Sequence, residues 1–315
     1  MKKYYSTLFF LLIVINCFSQ QNINLQDGKK ILEAYVSPLA YSIGASINNG
    51  WYNTAKPHKL GGFDITITVN TVIIPESAKS FNINKSNEST FIGGETPTIL
   101  GNSLGSEVTV NTNNSSSIST MPKGLNIPII PLPMLQTGIG LIKGTELDVR
   151  YMPNIKIGTS GSIGLYGFGL KHDILQWIPT GNLIPLSLSI QAGYTKLNSA
   201  IELIDPSNTI EDPKSNLSIS ATTINLILSK KLLMFTPYIG VGYSSTSTIF
   251  NVEGDYNIGS IQLNTNELTD VKFKSNNNLR TNIGFRFNIV LLAVQANYTF
   301  SEYPTATIGI GISLR

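Results

Sequence analysis

The chain has 315 residues, 22 basic and 19 acidic, for a formal charge of +3. Only 13% of residues are charged against 42% hydrophobic, and mean hydropathy is +0.10, whereas soluble domains carry about 25% charged residues. These figures argue against a fully water-exposed surface and against intrinsic disorder, and a helical membrane protein is excluded because no apolar run after the N-terminus reaches the length of about 20 residues that a membrane helix needs. Apolar residues dispersed in alternation are the statistic of transmembrane β-barrels.

The N-terminus has the order of an export signal. Lys2 and Lys3 precede an apolar core over residues 8–15, too short to span a bilayer, and Cys17-Phe18-Ser19 offers small residues for cleavage after Ser19 or Gln20. A rival reading makes Cys17 a lipidated cysteine. Ile15 and Asn16 stand where that signal favours small residues, which argues for simple cleavage. Cleavage after Gln20 leaves 20 basic against 19 acidic residues, or +1, and no cysteine in the body of the chain. Disulfides, thiolate metal sites and a basic nucleic-acid surface are excluded there.

Residues 21–58 read as a helix and loop, not a membrane strand. Ile31, Leu32, Tyr35, Val36, Leu39 and Ile43 fall at helical spacing, with Pro38 expected to break or kink the helix. Asn48-Asn49-Gly50-Trp51-Tyr52-Asn53 follows, turn chemistry with a large aromatic pair.

Strand alternation begins near residue 60. In Phe63-Asp64-Ile65-Thr66-Ile67-Thr68-Val69-Asn70 every odd residue is apolar and every even one polar. The pattern recurs in ten candidate strands near 60–74, 132–142, 145–153, 162–172, 185–198, 217–230, 235–253, 270–288, 291–301 and 304–315. Between Leu217 and Leu228 the phase slips, which predicts a bulge near Thr222. The fold class expected is all-β, a transmembrane antiparallel barrel of about ten strands, within a range of about 8–14. The domains expected are a signal peptide (1–20), an N-terminal helix and hatch segment (21–58), and a barrel (59–315).

The connections sort by length. Turns near 143–145, 231–234 and 288–291 are tight, and those at 75–131, 154–161, 199–216 and 254–269 are longer and polar. Tight turns belong on the periplasmic side and long loops outside. Residues 172–185 fall among the tight turns but are longer, with a short interfacial helix expected near Trp177. The stretch 75–131 reads as an extra hairpin giving twelve strands, a lid over the mouth, or a mobile loop.

Asp64, Asp148, Arg150, Arg280 and Arg286 lie on the polar register. An arginine facing lipid at mid-membrane costs about 2–4 kcal/mol, so these five are expected to line the lumen, as an internal ion-pair network, a selective lining or a grip on a plug. Tyr151, Trp177, Tyr194, Tyr238, Tyr243, Tyr298 and Tyr303 fit interfacial girdles. His58 and His172 have no metal-ligand spacing and read as polar residues at strand ends. Gly-x-Gly pairs at 138–140, 167–169 and 240–242 have strand period, not phosphate-loop context. No catalytic residue, metal or cofactor is expected.

The segment Asn48-Asn49-Gly50-Trp51-Tyr52-Asn53-Thr54-Ala55-Lys56-Pro57-His58-Lys59-Leu60-Gly61-Gly62-Phe63-Asp64 resembles an uncharacterised family of outer-membrane barrels from Bacteroidetes-type bacteria. So do Gly167-Phe168-Gly169-Leu170-Lys171-His172-Asp173-Ile174 and Gln191-Ala192-Gly193-Tyr194-Thr195-Lys196. A weaker similarity is to outer-membrane long-chain fatty-acid transporters, in which a small-residue hatch precedes an aromatic-Asn-Pro-Ala motif and the first strand. Here Trp51-Tyr52-Asn53-Thr54-Ala55 has Thr54 in place of proline, and the C-terminal Ser313-Leu314-Arg315 lacks the usual aromatic. The resemblance implies a channel or binding barrel for a small hydrophobic molecule, with Asn49, Trp51, Tyr52, Asn53 and His58 as hatch residues. A structural or adhesion barrel acting through its loops, and a barrel-embedded hydrolase using His58 or His172, are the alternatives. The partners expected are outer-membrane lipid, the barrel-assembly machinery and that ligand, with no nucleic acid.

Overall fold

The alternation of the first strand has a direct physical outcome. In a computed structural model of the chain, Ile67 is 60% exposed on the outer face while Thr68 is fully buried inside. The structure describes residues 25–86, 90–102, 104–111, 116–157, 161–202, 210–258, 261–263, 271–275 and 279–314. The export segment and Cys17 lie outside them.

Ten strands close a barrel: β1 (Phe63–Ile73), β2 (Ile129–Gly140), β3 (Thr145–Ile157), β4 (Gly161–Asp173), β5 (Ser187–Glu202), β6 (Ile210–Ser229), β7 (Phe235–Ile258), β8 (Leu279–Ile289), β9 (Leu292–Phe300) and β10 (Thr305–Leu314). Each pairs antiparallel with its sequence neighbours, and β1 closes on β10 from Phe63↔Leu314 to Val72↔Thr305. Closure removes the unpaired edges that a membrane does not tolerate. Ile65, Ile67, Phe168, Leu170, Ile283, Phe285, Ile308 and Ile310 point outward, and their polar neighbours point in. The fold is a transmembrane β-barrel.

Within the eighth candidate strand, near 270–288, the described residues Val271–Ser275 and Leu279–Ile289 both pair with β7. One strand expectation changes. The phase slip near Thr222 is not a bulge: β6 pairs with β5 and β7 in unbroken register from Leu217 to Ser229, and the one shift in that ladder lies between Glu211 and Lys214. The slip arises because Ile219 and Ala221, apolar residues, face inward.

What they face is a helix. α1 (Leu25–Asn48) is one continuous 24-residue element, so Pro38 does not end it. At 1.5 Å per residue it is about 36 Å long. Its middle sits at the long-loop mouth, where Leu39, Tyr41 and Ala45 pack against Val72, Ile74 and Tyr303. Its last turn is inside, where Ile47 packs on Leu132, Met134, Met152, Leu165, Leu197 and Ile219. Packing on every side supplies what the proline removes.

Among its described residues, the stretch 75–131 adds no extra barrel hairpin. Phe91–Gly93, Glu107–Asn111 and Ser116–Thr120 form one small sheet and Ser80–Asn82 with Glu95–Pro97 another. Ile83, Phe91, Val108, Val110 and Met121 bury Ile31 of α1, and Thr90 donates to Asp27 at 2.6 Å. Tyr35 Oη donates to Lys123 O at 3.0 Å, and burial pushes its phenol up to about 12, so it stays a donor. Residues 172–185 form two short 3-10 turns, at Leu175–Trp177 and Gly181–Leu183.

Two exposed side chains separate lipid from water. Ile65→Arg places a cation in the lipid band at about 2–4 kcal/mol and should sharply reduce the folded, heat-modifiable species on a gel. Leu104→Arg, at an 80%-exposed position on the lid, should leave it unchanged.

Candidate functional site

The chain leaves α1 inside the barrel and descends to the tight-turn end. Gly50 turns it with φ +72, a conformation only glycine takes freely, and a Cβ there would stand 2.7 Å from Asn70 Oδ1. Trp51 then lies flat against two glycines, Gly169 on β4 and Gly193 on β5; a Cβ at Gly193 would lie 2.4 Å from the indole. Tyr52 meets Gly240 and stacks edge-on to Tyr238 at 5.9 Å. Lower still, Ala55 N donates to Ser229 Oγ at 3.0 Å, and Ser189 Oγ donates to Ala55 O. Residues Asn48, Asn49, Trp51, Tyr52, Asn53, Thr54, Ala55 and His58 are all buried. Gly169 and Gly240, from the Gly-x-Gly pairs with strand period, thus make room for this segment, as does Gly193.

Three wall arginines grip it. A helix ends with carbonyls that have no intrahelical partner and a partial negative charge. Arg150 donates to Ile47 O at 3.0 Å and lies 3.7 Å from the centroid of the Trp51 ring. Its Nε donates to Gln136 Oε1 at 2.8 Å, and Gln136 donates to Trp51 O at 3.2 Å. Arg280 donates to Asn48 O at 2.9 Å, Asn49 Oδ1 at 3.0 Å, Thr223 Oγ1 at 2.6 Å and Asn225 Oδ1 at 2.7 Å. Arg286 donates to Asn53 Oδ1 at 2.6 Å and pairs with Asp64 at 3.3 Å. Charge-assisted bonds of this kind contribute about 1.5–3 kcal/mol each.

At the lumen base, His58 joins the segment to the wall. Its backbone N donates to Glu146 Oε2 at 2.7 Å and its Nδ1 lies 2.8 Å from the same oxygen. Lys171 holds the other oxygen at 2.5 Å. His58 Nε2 lies 3.3 Å from Ser313 Oγ. Ser313, His58 and Glu146 thus stand in the order of a hydrolytic triad. Ser313 is buried, the His58 ring is wholly enclosed and Glu146 is occupied by Lys171, so the set has no approach for a substrate and acts as a latch. His172 lies elsewhere, between Thr145 Oγ1 and Trp177 Nε1, each at 2.9 Å.

The loop-end half of the lumen is different. Its wall on β2–β6 is apolar (Leu132, Met134, Met152, Leu165, Leu197, Ile219). Behind it the ladder between two neighbouring strands is interrupted. β2 and β3 pair over only six residues, from Gly140↔Glu146 to Leu135↔Tyr151, although both strands continue towards the loops. The cause is in the sequence. Gly140 N donates to Gly62 O on the β1 side and Leu141 N to Thr145 O on the β3 side, so odd residues of β2 turn their N–H towards β3. Pro131 and Pro133 are odd and have no N–H. Opposite them, β3 carries Pro153, around which its ladder with β4 on the other edge shifts register, between Met152 and Ile155. The result is a notch in the hydrogen-bond ladder, with Leu135, Tyr151 and Ile155 exposed on the outer face beside it.

A family model, "Family of unknown function (DUF6588)", matches residues 1–314. The chain belongs to that family. No curated protein matches it by sequence. Among solved structures it is similar to the translocator domain of autotransporter NalP from Neisseria meningitidis, at 8% identity and TM-score 0.34, covering 90% of this chain and 99% of that one. It is similar to the TodX monoaromatic hydrocarbon channel (deltaS2 mutant), at 11% identity and TM-score 0.29, covering 82% and 67%. The outer membrane protein opdK from Pseudomonas aeruginosa follows at 9% and 0.15, covering 80% and 98%. At these scores the likeness bears on neither ligand nor role.

The five expected lumen residues are all buried inside the barrel, and Arg150, Arg280, Arg286 and Asp64 meet the luminal segment; Asp148 lies beside them with its Oδ2 unpartnered among the described residues. Two aromatics leave the expected girdle: Tyr238 is buried in the lumen and Tyr303 at the loop-end rim. Glu146, Lys171, Gln136 and Asn70 were not anticipated. Glu146 shares the phase of Asp148, and Lys171 that of Gly167 and Gly169, so period two was the signal.

Trp51 reports on this packing. In a Trp177→Phe background its emission should be blue and poorly quenched by acrylamide. Gly193→Val, an overpacking change of about 1–3 kcal/mol, should shift it to the red and raise quenching; an unchanged spectrum would contradict the contact.

Proposed function

We propose that this protein is an outer-membrane barrel of a Gram-negative, Bacteroidetes-type bacterium, exported by residues 1–20, that binds a small apolar molecule and passes it sideways between lumen and lipid. Axial flow is opposed by the luminal segment, which the wall arginines and the His58–Glu146 latch hold in place as a hatch. The observation that carries the reading is the interruption of the β2–β3 ladder, because it lies beside the apolar luminal wall, which Ile47 of α1 covers on its inner side. An apolar solute crossing there never meets the charged lower half. The five charged residues then serve the hatch and not the permeant, and no catalytic group is needed. Lipid and the assembly machinery are the partners of such a barrel.

Restoring the ladder tests this. Pro131→Val with Pro133→Val returns two N–H donors facing β3. Two backbone bonds at about 0.5–1.5 kcal/mol each should slow binding of 1-N-phenylnaphthylamine to the reconstituted barrel by on the order of tenfold, with folding unchanged. Equal rates in the parent and the double variant would sink the proposed route.

A further inference from the structure

The direction of α1 carries a second consequence, independent of any ligand. β1 starts at the tight-turn end, where Phe63 lies opposite Ile139 and Leu314. The segment before it climbs: His58 is level with Ser313, Asn53 with Asp64, Asn49 with Asn70, and Ala45 with Val72. From there α1 continues past the rim, so Ile31 is enclosed by the lid strands and not by the barrel. Leu25, the first described residue, is therefore at the long-loop end, while β1 begins at the opposite end. The chain passes through its own barrel.

We propose that the barrel carries its own N-terminal segment across the membrane, so that the start of α1 is displayed on the cell surface. This rests on the orientation with long loops outside, not on the apolar ligand. An exported chain reaches the membrane from the periplasm, and its N-terminus reaches the loop end only through the lumen. The helix is slim where it passes the rim: Ala40, Ser42, Gly44, Ala45 and Ser46 lie there, and a Cβ on Gly44 would come within 2.5 Å of Thr246. Once through, it is fixed from both ends. Arg150 and Arg280 hold its C-terminal carbonyls inside, and the lid buries Ile31 and bonds Asp27 and Tyr35 outside. A plug inserted from the periplasm alone would need no grip from the loops.

The test is cysteine accessibility on intact cells with a membrane-impermeant maleimide, the parent chain giving the background. Lys30→Cys and Glu33→Cys place thiols on α1 above the rim. Leu104→Cys marks the lid and Leu233→Cys, 91% exposed in a tight turn, the opposite end. The proposal expects Lys30→Cys and Glu33→Cys to label on intact cells as Leu104→Cys does, and Leu233→Cys only after permeabilisation. If Leu104→Cys labels on intact cells but both helix variants need permeabilisation, the threading is wrong. If Leu233→Cys labels on intact cells and Leu104→Cys and the helix variants do not, the orientation is wrong and the display with it; the ligand reading survives either result.

Discussion

Two backbone carbonyls at the end of one helix, capped by two arginines from a barrel wall, organise this molecule. α1 has no basic residue in its own last turn. Without the arginines Asn48 O would lose its donor inside the lumen, a cost of about 1–3 kcal/mol, and Ile47 O would keep only Thr195 Oγ1 at 3.3 Å. Arg150 and Arg280 in turn could face neither lipid nor an empty apolar space. Each problem removes the other: the helix needs cations that its sequence lacks, and the wall needs acceptors at fixed positions.

From that pairing the division of the lumen follows. Below the helix end the wall must be polar, because residues 49–58 run as irregular backbone and every N–H and C=O needs a partner inside the membrane. Asn70, Gln136, Ser189 and Ser229 provide them. Above the helix end the backbone is satisfied within α1, so the wall is free to be apolar. The notch made by Pro131 and Pro133 opens on that upper half only. Two prolines lower down would have broken the ladder where charges line the lumen, and exposed them to lipid.

Much of this was legible in the sequence because a strand reports its two faces residue by residue. The placement of Asp64, Arg150 and Arg280 in the lumen followed from the cost of the alternative. What the pattern cannot distinguish is apolar surface facing lipid from apolar surface facing a luminal helix, since both ask for the same side chains. Ile219 and Ala221 therefore looked like a register error, and Tyr238 like a girdle residue. Pro38 misled for a related reason: propensity describes a helix in water, and α1 is held by neighbours along its length. The notch was visible as two odd-numbered prolines, but it needed the hydrogen-bond direction of β2 to mean anything.

The central claim is that wall arginines keep the lumen closed by holding the helix end. Planar-bilayer conductance of the purified full chain measures this most directly, comparing the parent with the Arg150→Met, Arg280→Met double variant, which keeps side-chain length and removes both caps. The account predicts a silent parent and frequent open events in the variant. A parent that conducts steadily, or a folded variant as silent as the parent, would contradict it.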